Sequence, residues 1–180
     1  GRFYYPRNGF GAIAEQYAIA AQGHGAALQL NTRLVSLMRD DRWRVTVESA
    51  GVRSTLDADD VWATIPVTVL AGAMGDAGPD GVRQAAQQLK YRAMILVYLA
   101  LDQDRFTEYD AHYFPAADLT LTRLSEPKNY ANLRTPAGRT VLCAELPCDV
   151  DDDVWNSGDA ELGERIRADL SRAGLPLARP

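Results

Sequence analysis

Two short alternating segments, Trp43–Val47 and Val52–Leu56, limit what this chain can fold into more than any other feature. In an extended strand, side chains alternate between faces, so Trp43, Val45 and Val47 share one side and Arg44 and Thr46 the other. Asp40-Asp41-Arg42 precedes the first segment and Ser49-Ala50-Gly51 separates the two; both carry residues that let strands reverse. Leu28 to Leu37 leads in, and Ala58-Asp59-Asp60-Val61-Trp62-Ala63-Thr64-Ile65-Pro66 leads out. The pattern predicts a compact antiparallel meander over residues 34–64. It should run into a buried strand that stops at Pro66, because proline has no N–H for a ladder.

The 180 residues suit one domain or a domain and a half. Net charge of −5 argues against a nucleic-acid binder or a polybasic membrane reader, since both need concentrated positive charge. Two lysines stand against seventeen arginines, which reads as genomic composition bias. The only cysteines, Cys143 and Cys148, are five apart and would face opposite ways in an extended segment. Reduced thiols in a cytoplasmic protein are the expectation, with no disulfide and no zinc site. The longest apolar run, Ala93–Leu101, is far shorter than the ~20 residues of a membrane-spanning helix, and no signal peptide is evident. With Gly1 first and Pro180 last, the sequence reads as an excised piece of a longer protein.

Along the chain, Phe3-Tyr4-Tyr5-Pro6 is an aromatic lead-in, followed by Asn8-Gly9-Phe10-Gly11 and a helix over Ala12–Gln22 closed by Gly23 and Gly25. Gly9-x-Gly11-x-x-Ala14 matches a dinucleotide fingerprint as a string. That fingerprint needs a buried strand before it and an acidic residue about 20 positions on, and neither is present. A glycine turn packing a helix start is the alternative. Ala27–Leu30 reads as a strand of a parallel sheet. Residues 67–90 read as a loose loop at 72–81 and a helix over Val82–Leu89. Ala93–Leu101, apolar on both faces, reads as a central strand. His112–Pro115, Leu119–Leu124 and Thr140–Leu146 read as further strands. Asp149–Asp153 fails the calcium-loop pattern because Val154 stands where glycine is required, so a solvated acidic turn is expected. A final helix over Ala160–Ala173 has the stripe Leu162, Ile166, Leu170 and Ala173, with Asp159 as cap and Glu161 paired to Arg165.

The blocks have a familiar order. A glycine-opened helix, a strand, Leu34-x-x-Leu37, a meander, then Ala58-Asp59-x-Val61-Trp62-x-Thr64-Ile65-Pro66 resembles the FAD-dependent amine oxidase superfamily, which includes protoporphyrinogen oxidases, phytoene desaturases and monoamine oxidases. Tyr5-Pro6-x-Asn8-Gly9-Phe10 resembles that family's turn ahead of a helix, with Asn8 where glycine is usual. The run Tyr91-Arg92-Ala93 through Leu101, His112-Tyr113-Phe114-Pro115, Thr122 to Tyr130, and Glu145-Leu146-Pro147-Cys148 resembles its substrate-binding part.

The resemblance implies an α+β chain: residues 1–70 as part of an FAD-binding sheet with its antiparallel meander, and 71–180 as a mixed-sheet substrate-binding domain with helices. It implies FAD in the full-length parent, touched by the backbone of Leu34 on the adenine side and by Thr64, Ile65 and Pro66 beside the flavin. Leu34 would also be buried as an ordinary strand residue, and Pro66 equally suits a strand terminator. Tyr91, Arg92, Tyr98 and Arg123 are the implied contacts for a small-molecule substrate, and structural ion pairs are the competing explanation for the two arginines. Ser125-Glu126-Pro127-Lys128-Asn129-Tyr130 suits either a pocket mouth or a capped surface turn.

No nucleophile elbow, phosphate loop or H-E-x-x-H is present, which suits an enzyme whose cofactor carries the chemistry. The implied parent is an oxidoreductase that dehydrogenates a C–N or C–C bond. The alternatives are a flavin-dependent mutase of the UDP-galactopyranose type and a non-catalytic folded module. The isolated chain, lacking the family's N-terminal G-x-G-x-x-G unit, is expected to be inactive and to hold FAD weakly or not at all.

Overall fold

The computed structural model describes residues 4–131, 134 and 136–177. Phe3 of the lead-in and the terminal Pro180 lie outside the described residues. The chain divides into two compact units, Gln16–Lys90 and Gly1–Glu15 with Tyr91–Pro180, and helix α1 (Gly11–Gly23) runs across the boundary.

The first unit is built on the meander. β1 (Thr32–Arg39), β2 (Trp43–Ser49) and β3 (Val52–Ala58) pair antiparallel in chain order. Ser49 pairs with Val52 across a two-residue turn in which Ala50 and Gly51 both have positive φ, 49° and 78°. That left-handed pair matches the twist of a tight hairpin, and Gly51 adopts it without strain. A shift of register between Leu34 and Ser36 marks a bulge at Val35. It has a clear consequence. Leu34 and Leu37 are an odd number apart and would face opposite ways in a regular strand. Leu34 pairs with Val47 and Leu37 with Val45, so the bulge puts both leucines on the face that Trp43, Val45 and Val47 share.

Helices α2 (Val67–Met74) and α3 (Val82–Gln87), with a 3-10 turn at Gly75–Ala77 between them, supply Ala71 and Ala86, the residues buried in this unit along with Leu37. The loose loop expected at 72–81 is therefore partly helical. Val67-Thr68-Val69 hid α2, because β-branched residues argue against a helix until packing on β1 outweighs propensity. This packing groups residues 71–90 with the meander.

Two expected strands are absent. Ala27–Gln29 has no regular structure and Leu30 lies in a turn, and Val61–Ile65 is coil with Trp62 94% exposed. Both segments carry the composition of buried strands, and neither joins a ladder among the described residues.

The second unit contains β4 (Ala93–Leu101), β5 (Ala111–Tyr113), β6 (Arg123–Ser125) and β7 (Thr140–Cys148) in spatial order β4-β7-β6-β5. All three ladders are antiparallel, so the mixed sheet expected here is antiparallel throughout the described residues. β7, not β4, is the central strand. One face of β7 presents Leu142, Ala144 and Leu146, which pack with Leu121, Leu124 and the α6 (Asp159–Arg172) stripe of Leu162, Ile166 and Leu170. Burial of each such side chain contributes about 1.5–3 kcal/mol. Ile95, Val97, Leu99 and Leu101 of β4 pack on the edge of this core.

α6 matches the expected helix closely. Glu161 and Arg165 meet at 2.8 Å, and Leu175 N–H returns to Leu170 C=O at 2.8 Å around Gly174, whose φ is 77°. The cap is Gly158 rather than Asp159. The acidic turn is also explained. Asp152 caps α5 (Asp153–Asn156) by accepting Trp155 N–H at 2.8 Å, and those two bonds to Asp149 and Trp155 N–H hold its carboxyl below the usual range. No cluster of metal-ligating residues occurs among the described residues. None of the helices is long and apolar enough to cross a membrane.

Candidate functional site

The four-stranded sheet has one face on its core and one face open. Alternation along β4 leaves Met94, Leu96 and Tyr98 exposed, at 46%, 48% and 64%. Register places Pro147, Glu145 and Cys143 of β7 beside them, then Arg123 and Ser125 of β6, then Tyr113 of β5. A sheet face this apolar and aromatic is unusual on a solvent side, where antiparallel strands normally turn polar.

Arg123 organises the polar part of that face. Its guanidinium forms a very short contact with Glu145, donates to Tyr130 Oη at 2.6 Å, and lies 5.6 Å from the Tyr113 ring centre. Tyr5 stacks on Tyr130 with ring centres 5.3 Å apart. Burial pulls the Arg123 pKa down, but the hydrogen bond to Glu145 and the nearby charges outweigh it and leave it raised. Its buried Nε–H has no partner among the described residues. The Tyr98 phenol is pushed up by the charge of Cys143 and by a hydrogen bond with it.

The open face ends in a cavity of about 620 Å3. Its walls are the turn residues Tyr5, Arg7 and Gly9, the strand ends Ala100 and Val141, and α4 (Pro127–Tyr130) at Lys128. Gly9 N–H bonds to Pro6 C=O at 3.0 Å, and Gly9 itself takes the left-handed conformation with φ 84°. Asn8 does not need to, so its replacement of glycine leaves the turn intact.

Pro127 and Lys128 of the run Ser125–Tyr130 do line the cavity, but Ser125, Glu126 and Lys128 are buried, so the run is not a surface turn. Glu126 is 3% exposed and accepts from Phe106 N–H (2.9 Å), Thr107 N–H (3.1 Å), Thr140 Oγ1 (2.7 Å) and Asn129 Nδ2 (3.1 Å). Buried Lys128 donates to Asp104 Oδ1 and to the carbonyls of Asp104, Pro136 and Arg139 at 2.7–3.0 Å. These residues fix the loops that frame the cavity. Asp169, also unforeseen, is buried on α6 and accepts Thr120 and Leu121 N–H at 2.8 and 3.0 Å. Only a stripe of leucines was visible around it.

Of the expected substrate contacts, Tyr98 and Arg123 come together on the open face. Tyr91 lies ahead of β4 and is exposed, while Arg92 pairs with Asp149 at 3.3 Å. Both arginines thus sit in ion pairs, the competing explanation.

Of the expected cofactor contacts, Leu34 is half-buried on β1, an edge strand whose outer side has no ladder partner among the described residues. Thr64, Ile65 and Pro66 are exposed coil ahead of α2. Residues 1–179 match the family described as flavin containing amine oxidoreductase.

The chain belongs to that family.

A flavin is therefore the cofactor of the full-length parent. The residues present fit one in part: β1, which carries Leu34, is an edge strand, and Thr64 and Ile65 are exposed outside any ladder, while the Pro66 carbonyl already accepts Val69 and Leu70 N–H. Three solved structures share the fold. A candidate protoporphyrinogen oxidase from Exiguobacterium sp. 255-15 superposes at TM-score 0.65 with 22% identity over 94% of this chain and 36% of its own. A reduced UDP-galactopyranose mutase superposes at 0.74 with 16% identity over 97% and 38%. A putrescine oxidase bound to putrescine superposes at 0.65 with 17% identity over 94% and 36%. The chain thus spans little more than a third of the length of these relatives. No curated protein matches it.

Leu34 carries a direct test. In the full-length protein, Leu34→Val should leave flavin content unchanged, because a backbone contact survives a change of side chain. Leu34→Pro should lose the flavin, since proline removes the N–H and fixes φ. Near-ultraviolet circular dichroism from Trp43 reports whether β2 still folds. Equal flavin retention by both folded variants would remove the reason to place the cofactor at this edge.

Proposed function

We propose that this chain is part of an FAD-dependent oxidoreductase that dehydrogenates a C–N or C–C bond of a small organic molecule, a hydride leaving carbon and a proton leaving the neighbouring atom. The open, apolar face of the four-stranded sheet, with Tyr98 and Arg123 on it, is the wall against which that molecule lies. The observation that carries this reading is the exposure of Met94, Leu96 and Tyr98 on a sheet whose other face packs on the core. Family membership supplies the cofactor, and a bound flavin supplies the hydride acceptor. This chain's residues orient the substrate and keep water from it. Thr64, Ile65 and Pro66 contribute the exposed segment on the flavin side, and Tyr91 and Arg92 stand at the entrance to β4. In this reading residues 1–70 serve the flavin and 71–180 the substrate.

The test uses the full-length protein, mixed anaerobically with a set of amines and of partly saturated organic acids. Flavin bleaching by one of them is the expected result. Leu96→Glu, a charge on the apolar wall, should lower kcat/KM about 100-fold or more while leaving flavin content unchanged. Isomerisation of a sugar nucleotide with no net bleaching would favour a mutase. Full activity in the Leu96→Glu variant would remove the sheet face from the site.

A further inference from the structure

We infer that the cavity at the end of the open face selects an apolar organic anion, a ring or chain ending in a carboxylate, and rejects cationic amines. The inference rests on reading that face as the substrate wall and names the charge of what it takes. Three cationic side chains line the cavity, Arg7, Lys128 and Arg139, and none of its lining residues is acidic.

Two of the three are already neutralised. Lys128 meets Asp104 at 2.8 Å and gives its other protons to carbonyls, and Arg139 meets Asp102 at 2.9 Å. Asp104 is in turn held below its usual range, first by the hydrogen bond from Lys128. Arg7 forms no ion pair among the described residues. It is exposed, on the turn that Gly9 closes, and lines the cavity.

Tyr5, Ala100, Leu101, Pro127 and Val141 supply apolar wall, and the polar lining side chains Asn8 and Thr140 are neutral, so no carboxylate is there to pair with an ammonium group. The volume of about 620 Å3 lies in the range that holds a drug-sized molecule. An anion entering such a space gains one unshared guanidinium and loses little solvation on its apolar body. An amine would meet like charge at Arg7 and find no carboxylate to balance its own. Arg123 is a different case. Its charge is engaged by Glu145 and leaves no free cation further along the sheet.

The probes are 1-pyrenebutyrate, 1-pyrenebutanol and 1-pyrenemethylamine, titrated into the 180-residue chain and followed by pyrene fluorescence. The carboxylate should bind about tenfold tighter than the amine, with the alcohol between them. Higher salt should narrow the spread, because the contact is partly exposed. Arg7→Gln should weaken carboxylate binding about fivefold and leave the alcohol unchanged. Val141→Trp should block all three probes, showing that they enter this cavity. Equal binding of acid and amine, an Arg7→Gln variant that binds the acid as before, or no binding to a chain shown to be folded by circular dichroism would each overturn the inference. These titrations involve neither flavin nor turnover. Loss of charge selection would leave the oxidoreductase reading standing, and absence of flavin bleaching in the full-length protein would leave the selection standing.

Discussion

Glu126→Ala should destabilise the unit containing the four-stranded sheet by about 3–5 kcal/mol, measured as a shift in urea unfolding of the 180-residue chain. The carboxylate is buried and accepts four hydrogen bonds, two of them from the backbone N–H groups of Phe106 and Thr107. Removing it strands those donors away from water, and each unsatisfied group costs about 1–3 kcal/mol. Glu126→Gln should fall between wild type and alanine, since an amide offers only one acceptor oxygen and brings an N–H toward existing donors. As a comparison, Glu161→Ala on the exposed face of α6 loses its i,i+4 pair with Arg165 and should shift the transition far less than Glu126→Ala. A loss of under about 1 kcal/mol for Glu126→Ala would mean that the loops at 106–107 and 140 do not depend on this carboxylate.

The same network predicts an acid sensitivity. Asp104 is depressed by the hydrogen bond from Lys128, so its contribution is fully present above the ordinary aspartate range and is lost as pH falls through the lowered folded value. Melting temperatures measured across mildly acidic pH should therefore show little change from Asp104 until the pH drops below the usual aspartate value.

What the sequence disclosed and what it withheld divide along physical lines. The meander was readable because alternation and turn chemistry coincide: Trp43, Val45 and Val47 share a face, and Ala50-Gly51 makes the left-handed turn. α6 was readable because Leu162, Ile166 and Leu170 recur at helical spacing and Gly174 stops the helix. β4 was recognised as a strand but misplaced. Apolar residues on both faces suggest burial on both sides, whereas here the second apolar face is open.

The polar hub at Glu126 and Lys128 was invisible because most of its partners lie 8 to 24 residues away, in loops and at the start of β7, and charged residues beside a proline usually mark a surface turn. The candidate site was half legible. Tyr98 and Arg123 share a face by register, which the strands alone imply, but the Glu145 and Tyr130 contacts that engage Arg123 emerge only from the sheet order β4-β7-β6. Val61–Ile65 shows the opposite error. Its composition demands a sheet, and no strand among the described residues pairs with it.

The central claim is that this chain carries a substrate wall and the open edges that face a flavin, but no cradle for the cofactor's phosphates. Gly9 and Gly11 lead into α1, yet residues 4–6 before them are coil, whereas a pyrophosphate site needs a buried strand feeding a glycine turn and helix N-terminus. Contacts at Leu34, Thr64, Ile65 and Pro66 would leave the phosphates in solvent. Association also costs about 4 kcal/mol or more in translational and rotational freedom. Micromolar binding needs about 8 kcal/mol net, more than a partial apolar contact delivers. The measurement is titration of FAD into the purified 180-residue chain, followed by flavin fluorescence and by the colour of the preparation. The protein should be colourless and flavin fluorescence should stay at its free value. A yellow preparation holding stoichiometric FAD would contradict it and make Gly9-x-Gly11 a working phosphate site.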